Sequence, residues 1–271
     1  MSKLTKLEQT MDLILKCQSI EQVWPLFAES MAHYGFDRMI YASNRFRTVG
    51  TFGDPDDALL LTNHDSAYID AFIGKALFLD APMFNWSAKN TGVCSWKWAQ
   101  DRCEQGLNSP AENRVINFND RMGVVAGYSV SFQDISGRSI AGVGLCAKAG
   151  LSQADVDLIW DENGDELFLL NNLAHHKIAS LPHKRRGKSL TKRQKEVLQW
   201  VADGKTMADI AAIMGLNAAT VEKHLRLARD SLNVDTTAQA ILKVSVQNQF
   251  FLVEDFGMQR VGKPYPFELK R

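Results

Sequence analysis

Apolar residues recur at helical spacing from the start of the chain: Leu4, Leu7, Met11, Ile14 and Leu15, then Val23, Leu26, Phe27 and Met31. Repeats of three and four place each set on one stripe, which predicts two amphipathic helices ending near Gly35. Phe36 to Ser43 reads as a strand. Thr48 to Asp57, rich in Gly, Asp and Pro, reads as a loop. Ala67 to Leu77 and Ala111 to Arg121 are expected to be helical. Phe78 to Trp98 reads as irregular, with Pro82 and Gly92 as breakers and Trp96 and Trp98 on one face of a short strand. Val124 to Phe132 and Ile140 to Ala147 are β-rich runs joined by the polar segment 133–139, a hairpin signal. Ser152 to Ile178 is predicted as one long helix, with Ser152 as N-cap and Asp155 as its capping-box acid.

The periodicity stops at Ser180-Leu-Pro-His-Lys-Arg-Arg-Gly-Lys188, which reads as a tether. It resumes as four short helices. Val197, Leu198, Trp200 and Val201 stripe the first, which Gly204 ends as a left-handed cap. Thr206 caps the second, with Ile210, Ala211, Ile213 and Met214 inward. Gly215-Leu-Asn217 is a turn of helix-turn-helix length. Ala218 to Leu232 is the third helix, with Val221, Leu225, Ala228 and Leu232 inward and Glu222, Lys223, Arg226 and Arg229 outward. Thr236 to Val246 is the fourth. The predicted organisation is an N-terminal domain over 1–179, a linker over 180–189, a four-helix domain over 190–250 and an extension over 251–271. The fold class expected is an α+β domain, an α-β-α sandwich with an antiparallel sheet and helices on both faces, followed by an all-α four-helix helix-turn-helix domain.

Composition narrows the class. Apolar residues make up 45% and charged residues 23%, which suits packed cores and excludes long disorder. Net charge is zero, but Lys184 to Asp230 holds eleven Lys/Arg against five Asp/Glu. That local excess is the footprint of a phosphate-binding surface. Cys17, Cys94, Cys103 and Cys146 show no CxxC spacing and no zinc pattern. Neither a signal peptide nor a membrane-length apolar run is visible, so a cytoplasmic chain with reduced thiols and no membrane partner is expected. His175-His176 has no acidic or Cys partner nearby in sequence, so no metal is expected there. No phosphate loop or nucleophile elbow supports an enzyme.

A recognition helix presents side chains from its N-terminal part to base edges in the major groove. Arg226 can donate a bidentate pair to guanine and Glu222 can accept from cytosine. Lys205, Thr206, Lys223, His224 and Arg229 are placed for phosphates, and Thr220 opens the reading face. A polar helix face that is merely solvated would show the same residues.

Leu190-Thr-Lys-Arg-Gln-Lys-Glu-Val-Leu198, Trp200-Val-Ala-Asp-Gly-Lys-Thr206, Asp209-Ile-Ala211 and Thr220-Val-Glu-Lys-His-Leu225 closely resemble the C-terminal domain of the LuxR family of bacterial regulators. The resemblance implies that the third helix reads DNA and the fourth helps dimerise. Leu198 and Gly204 match residues typical of the family, and Gln194 stands where it usually has Glu.

The N-terminal part resembles, at scattered positions, the acyl-homoserine-lactone-binding domain of quorum-sensing members. On that resemblance Asp80 accepts the ligand amide N–H, Trp96 lines the lactone end, and Gly127 sits on the following strand. Tyr68 and Phe72 stand where the family has Trp and Tyr, and His64 where a Tyr contacts the acyl carbonyl. Ala81 replaces a Pro, and Gly144 replaces a Ser or Thr that binds the amide or acyl oxygen. Without the resemblance, Asp80 reads equally as a turn residue, and Trp96 and Trp98 as core.

The function expected is a ligand-responsive DNA-binding transcription regulator: a homodimer that binds a double-stranded DNA operator and a small-molecule autoinducer, an N-acyl-homoserine lactone. A regulator whose sensor takes another small molecule, or none, is the alternative. Phe256, Tyr265 and Phe267 in the extension suggest docking on the protein's own surface.

Overall fold

The computed structural model describes residues 5–47, 54–134, 136–183 and 189–250. The linker segment 184–188 and the extension 251–271 lie outside them. The chain divides into two compact units, Met1–Arg186 and Gly187–Arg271.

The first unit opens with α1 (Lys6–Lys16) and α2 (Ile20–His33), followed by β1 (Phe36–Asn44). A capping box between Thr5 and Glu8 starts α1. Next come β2 (Leu59–Thr62), α3 (Ser66–Phe72), α4 (Pro82–Lys89), β3 (Gly92–Ser95), α5 (Lys97–Glu104) and α6 (Pro110–Arg121). The unit closes with the hairpin β4 (Gly127–Phe132) and β5 (Ile140–Ala147) and the long α7 (Gln153–Ser180). The strands form one antiparallel sheet in the order β2-β1-β5-β4-β3.

Period-two alternation gives the sheet two different faces. Met39, Tyr41, Val130, Val143 and Leu145 are buried in the main core with Ile14, Phe27 and Met31 of α1 and α2 and Leu167, Leu170 and Ile178 of α7. The other face lies under α3, α4 and α6, where Tyr68, Phe72, Val115, Val124 and Cys146 form a smaller cluster. This is the expected sandwich with helices on both faces.

Several local expectations change. The helix expected to run to Leu77 stops at Phe72; Ala76 takes a left-handed φ of 57° and turns the chain into a 3-10 turn at Leu77–Asp80. The 78–98 segment is ordered rather than irregular. Pro82 is the first residue of α4, where its missing N–H costs nothing, and Gly92, at φ 96°, opens β3. Trp96 and Trp98 share no strand face: Trp96 is the N-cap residue of α5 and Trp98 lies inside it, 38% exposed beneath the Arg102 guanidinium. The four-residue β2 went unread because it is too short to show a period.

The second unit holds α8 (Lys192–Ala202), α9 (Met207–Met214), α10 (Ala218–Leu232) and α11 (Thr237–Val246). Thr191 with Gln194, Thr206 with Asp209, and Thr236 with Gln239 form capping boxes, and the Asn217 side chain caps α10. Gly204 and Gly215 take left-handed φ values of 78° and 63° at the ends of α8 and α9. Val221, Leu225, Ala228 and Leu232 pack on Val197, Leu198, Ile210, Ala240 and Val244. Ile213, expected inward, is 48% exposed; α9 meets the core through Ile210, Ala211 and Met214, so only part of its apolar arc is covered. Lys243 Nζ donates to the Leu232 carbonyl at 2.8 Å and ties α11 to the end of α10. A cation at a helix C-terminus also meets the negative end of its dipole.

Candidate functional sites

A cavity of about 1050 Å³, lined mainly by apolar side chains, lies on the sheet face under α3, α4 and α6. Tyr68 and Phe72, one turn apart on α3, stack at 5.1 Å between ring centroids, and His64 stacks on Tyr68 at 4.6 Å. The Tyr68 hydroxyl donates to Asn119 Oδ1 at 3.1 Å. Burial, reinforced by the charge of Arg38, lowers the His64 pKa to about 4, so this wall is neutral at pH 7.

In the same apolar cluster as Tyr68 and Phe72, the Trp96 backbone N–H donates to the Gly127 carbonyl. Its indole Nε1 donates to Ser129 Oγ at 3.0 Å. The ring lies on Gly127, where an added Cβ would come within 3.0 Å of it and 2.1 Å of the Leu145 carbonyl oxygen. Gln153 of α7 grips Gly127 from both sides of its peptide: Oε1 accepts from its N–H at 2.9 Å and Nε2 donates to its carbonyl at 3.2 Å. Ser129 pairs directly with Gly144 across the β4–β5 ladder. Its hydroxyl oxygen accepts from Trp96, which leaves its own hydrogen to donate into the cavity.

The outer side of α10 is the second candidate site. Glu222, Lys223 and Arg226 are exposed and His224 is half-buried. Glu222, Arg226 and Arg229 fall in one row at helical spacing. Arg226 pairs with Asp230 at 3.5 Å, with 59% of its side chain exposed. Arg229 is held more firmly: it is 22% exposed, pairs with Glu222 at 3.1 Å and donates to Thr237 Oγ1 at 3.0 Å. The Thr206 and Thr220 hydroxyls donate to their capping partners, Asp209 and Asn217. Lys205 is exposed just before α9.

Two family models match this chain. One, the autoinducer binding domain, covers residues 19–178; the other, bacterial regulatory proteins of the luxR family, covers 188–244. The chain belongs to the LuxR family of bacterial regulatory proteins. It is a quorum-sensing transcriptional regulator of the LuxR type, with an autoinducer-binding domain for a small-molecule ligand and a DNA-binding domain. It is similar to the transcriptional activator protein ExpR of Dickeya dadantii, with 24% identity over 198 residues covering 69% of this chain and 76% of that one. It is also similar to the transcriptional activator protein LuxR of Aliivibrio fischeri, with 24% identity over 197 residues covering 69% and 73%. The crystal structure of Escherichia coli SdiA aligns over 91% of this chain and 98% of that one, with 16% identity and a TM-score of 0.48.

Of the residues this LuxR-type regulator was expected to use for its ligand, His64, Tyr68, Phe72, Trp96 and Gly144 line the cavity. Asp80 and Gly127 are not among the lining residues. Asp80 is the last residue of the 3-10 turn and is half-buried, while Gly127 lies behind Trp96 as the surface its ring rests on. The sequence reading missed Ser129 and Gln153. Ser129 shares a strand face with Gly127 two residues away, a signal that pointed to it. Besides Asp157 one turn on, the partners of Gln153 that place it at the site, Ser95 and Gly127, come from β3 and β4 and leave no local signal. Among the described residues, no group of three or more His, Cys, Asp or Glu is placed to hold a metal, and no helix is long and apolar enough to cross a membrane.

Proposed function

We propose that the ligand is an N-acyl-homoserine lactone and that the regulator works in the cytoplasm as a homodimer, without enzymatic activity, on a double-stranded DNA operator. The observation that carries the ligand reading is the apolar cavity with a Trp96–Ser129 pair at one end. A lactone head meets hydrogen-bonding groups there, and its chain meets hydrocarbon. Ser129 supplies a hydroxyl directly across the ladder from Gly144, so a ligand oxygen has a donor although residue 144 has no side chain. In the dimer two α10 helices enter the major groove about one helical turn apart. Arg226 and Glu222 face base edges, with Thr220 at the start of that face. Lys205, Lys223 and His224 lie toward phosphates. Thr206 meets them only by giving up the partner its hydroxyl holds, and Arg229 through the guanidinium N–H groups that its bonds to Glu222 and Thr237 leave over.

Expression with and without candidate lactones, followed by mass spectrometry of ligand retained by the purified protein, tests the reading. A lactone recovered in about equimolar amount supports it, and consistent recovery of another class overturns it. The second reading, a sensor for a different small molecule, is favoured by Asp80 standing outside the cavity lining. Asp80→Asn separates the two: a lactone response weakened without loss of folding supports the first, and an unchanged response the second.

A further inference from the structure

The two faces of the sheet are filled in opposite ways. On the α1, α2 and α7 side, Tyr41, Val130, Val143 and Leu145 fill the space against the helices. On the cavity side, Gly144 pairs with Ile40, but one diagonal of register pairs runs beside it: Ser129 with Gly144, Ser131 with Gly142, and Gly142 with Ala42. All on that diagonal are small. A sheet face roofed by helices ordinarily carries branched side chains that reach the roof. Here the branched side chains of that face, Ile40 of β1 and Ile140 of β5, stand off the diagonal through Ser129, Gly144, Gly142 and Ala42, so the floor along it is a trough running from Trp96 to Leu60, which pairs with Ala42.

The length of the trough follows from strand geometry. From β4 to β2 is three strand spacings of ~4.8 Å, and the Ser129 and Leu60 levels differ by two residues of ~3.4 Å, so the diagonal is ~16 Å. A saturated chain advances ~1.3 Å per carbon, the projection of a ~1.5 Å C–C bond. An apolar space of this length, left empty, forfeits packing contacts along its whole lining.

We propose that the ligand of this cavity carries a linear acyl chain of about ten to twelve carbons, lying across Gly144, Gly142 and Ala42 with its end toward Leu60, its length set by the trough. The head position rests on the lactone reading above; the chain length rests on the register of the small residues.

The test uses the purified full-length protein with N-butanoyl-, N-hexanoyl- and N-dodecanoyl-homoserine lactone and with 1-dodecanoylglycerol, reading affinity by titration and thermal shift. Dodecanoyl lactone is expected to bind about tenfold or more tightly than hexanoyl lactone, because each added methylene is removed from water. Ala42→Phe, which blocks the trough one strand short of its Leu60 end, is expected to abolish that preference. Equal or tighter binding of the short lactones overturns the chain length and leaves the lactone reading standing. Binding of dodecanoylglycerol but of no lactone supports the chain length and overturns the lactone reading. No binding by any of the four overturns both. The wild-type series decides the question even if Ala42→Phe does not fold, and a folded Ala42→Phe protein that keeps the long-chain preference overturns the path across Ala42.

Discussion

Trp96 donates its indole N–H to the hydroxyl of Ser129, one strand away, at 3.0 Å. The bond orients both groups in the cavity wall: it holds the indole over Gly127 and leaves the Ser129 hydroxyl hydrogen for another acceptor. Ser129→Ala is expected to weaken lactone binding by about 1 kcal/mol, roughly fivefold, the ordinary worth of one hydrogen bond. Titration followed by Trp fluorescence reads this, and an unchanged affinity would remove Ser129 from the site.

Gly127 is required for a steric reason. A methyl group there would overlap the Leu145 carbonyl and crowd the Trp96 ring. Since the oxygen is backbone and paired in the sheet, the strand itself must shift. Gly127→Ala is expected to cost ~1–3 kcal/mol of stability, seen as a lower Tm, together with a shifted Trp emission. Gly144→Ala is the control: its new Cβ would meet only the Trp96 ring, at 3.8 Å, and the Tm should hold.

Arg226 and Arg229 lie in one row of α10 but differ in attachment. Arg226→Ala is expected to cost ~1–3 kcal/mol of specific DNA binding and little stability, because its pair with Asp230 is exposed on both sides. Arg229→Ala removes a bond to Thr237 at the start of α11, so its first effect should be a lower unfolding midpoint. Gel-shift titration set beside thermal denaturation separates the two; loss of DNA affinity without loss of stability at Arg229 would contradict this assignment.

Two histidines make the sensor acid-sensitive. Burial holds His64 and His175 at pKa values of about 4, the first in the cavity wall and the second sharing a hydrogen bond with Tyr41 at 2.9 Å. An exposed His titrates near 6.5, so between pH ~6.5 and ~4 the unfolded chain binds more protons than the folded one. Stability is therefore full above pH ~6.5 and falls as pH drops toward ~4. Denaturant unfolding at stepped pH should show that slope, and His175→Phe should flatten part of it. A stability that rises on acidification through this window would refute the assignment.

The DNA-binding unit was legible because its signals are local. A capping box joins residues three apart, a glycine cap marks one backbone angle, and Val221, Leu225, Ala228 and Leu232 declare one face of one helix. Ser152 and Asp155 announced α7 in the same way. Ile213 was misread because helical period identifies an apolar arc and not how much of it a neighbour covers. In the sensor, Tyr68, Phe72 and Trp96 were found by their resemblance to family positions.

By itself the sequence determined where α1, α2 and α6 to α11 run and which of their faces are apolar, because those properties depend on residues within one or two turns of each other, while its resemblance to the LuxR family placed a sensor before the helix-turn-helix unit. Only the tertiary structure decided that Ser129 stands opposite Gly144, that Gln153 reaches back to Gly127, that Asp80 lies off the cavity lining, and that the small residues of three strands form one trough. Packing of α7 on the sheet sets the second; cross-strand register sets the first and the last, and it is a contact between residues distant in the chain. It follows from how both faces of the sheet are packed, and no local pattern of residues encodes it.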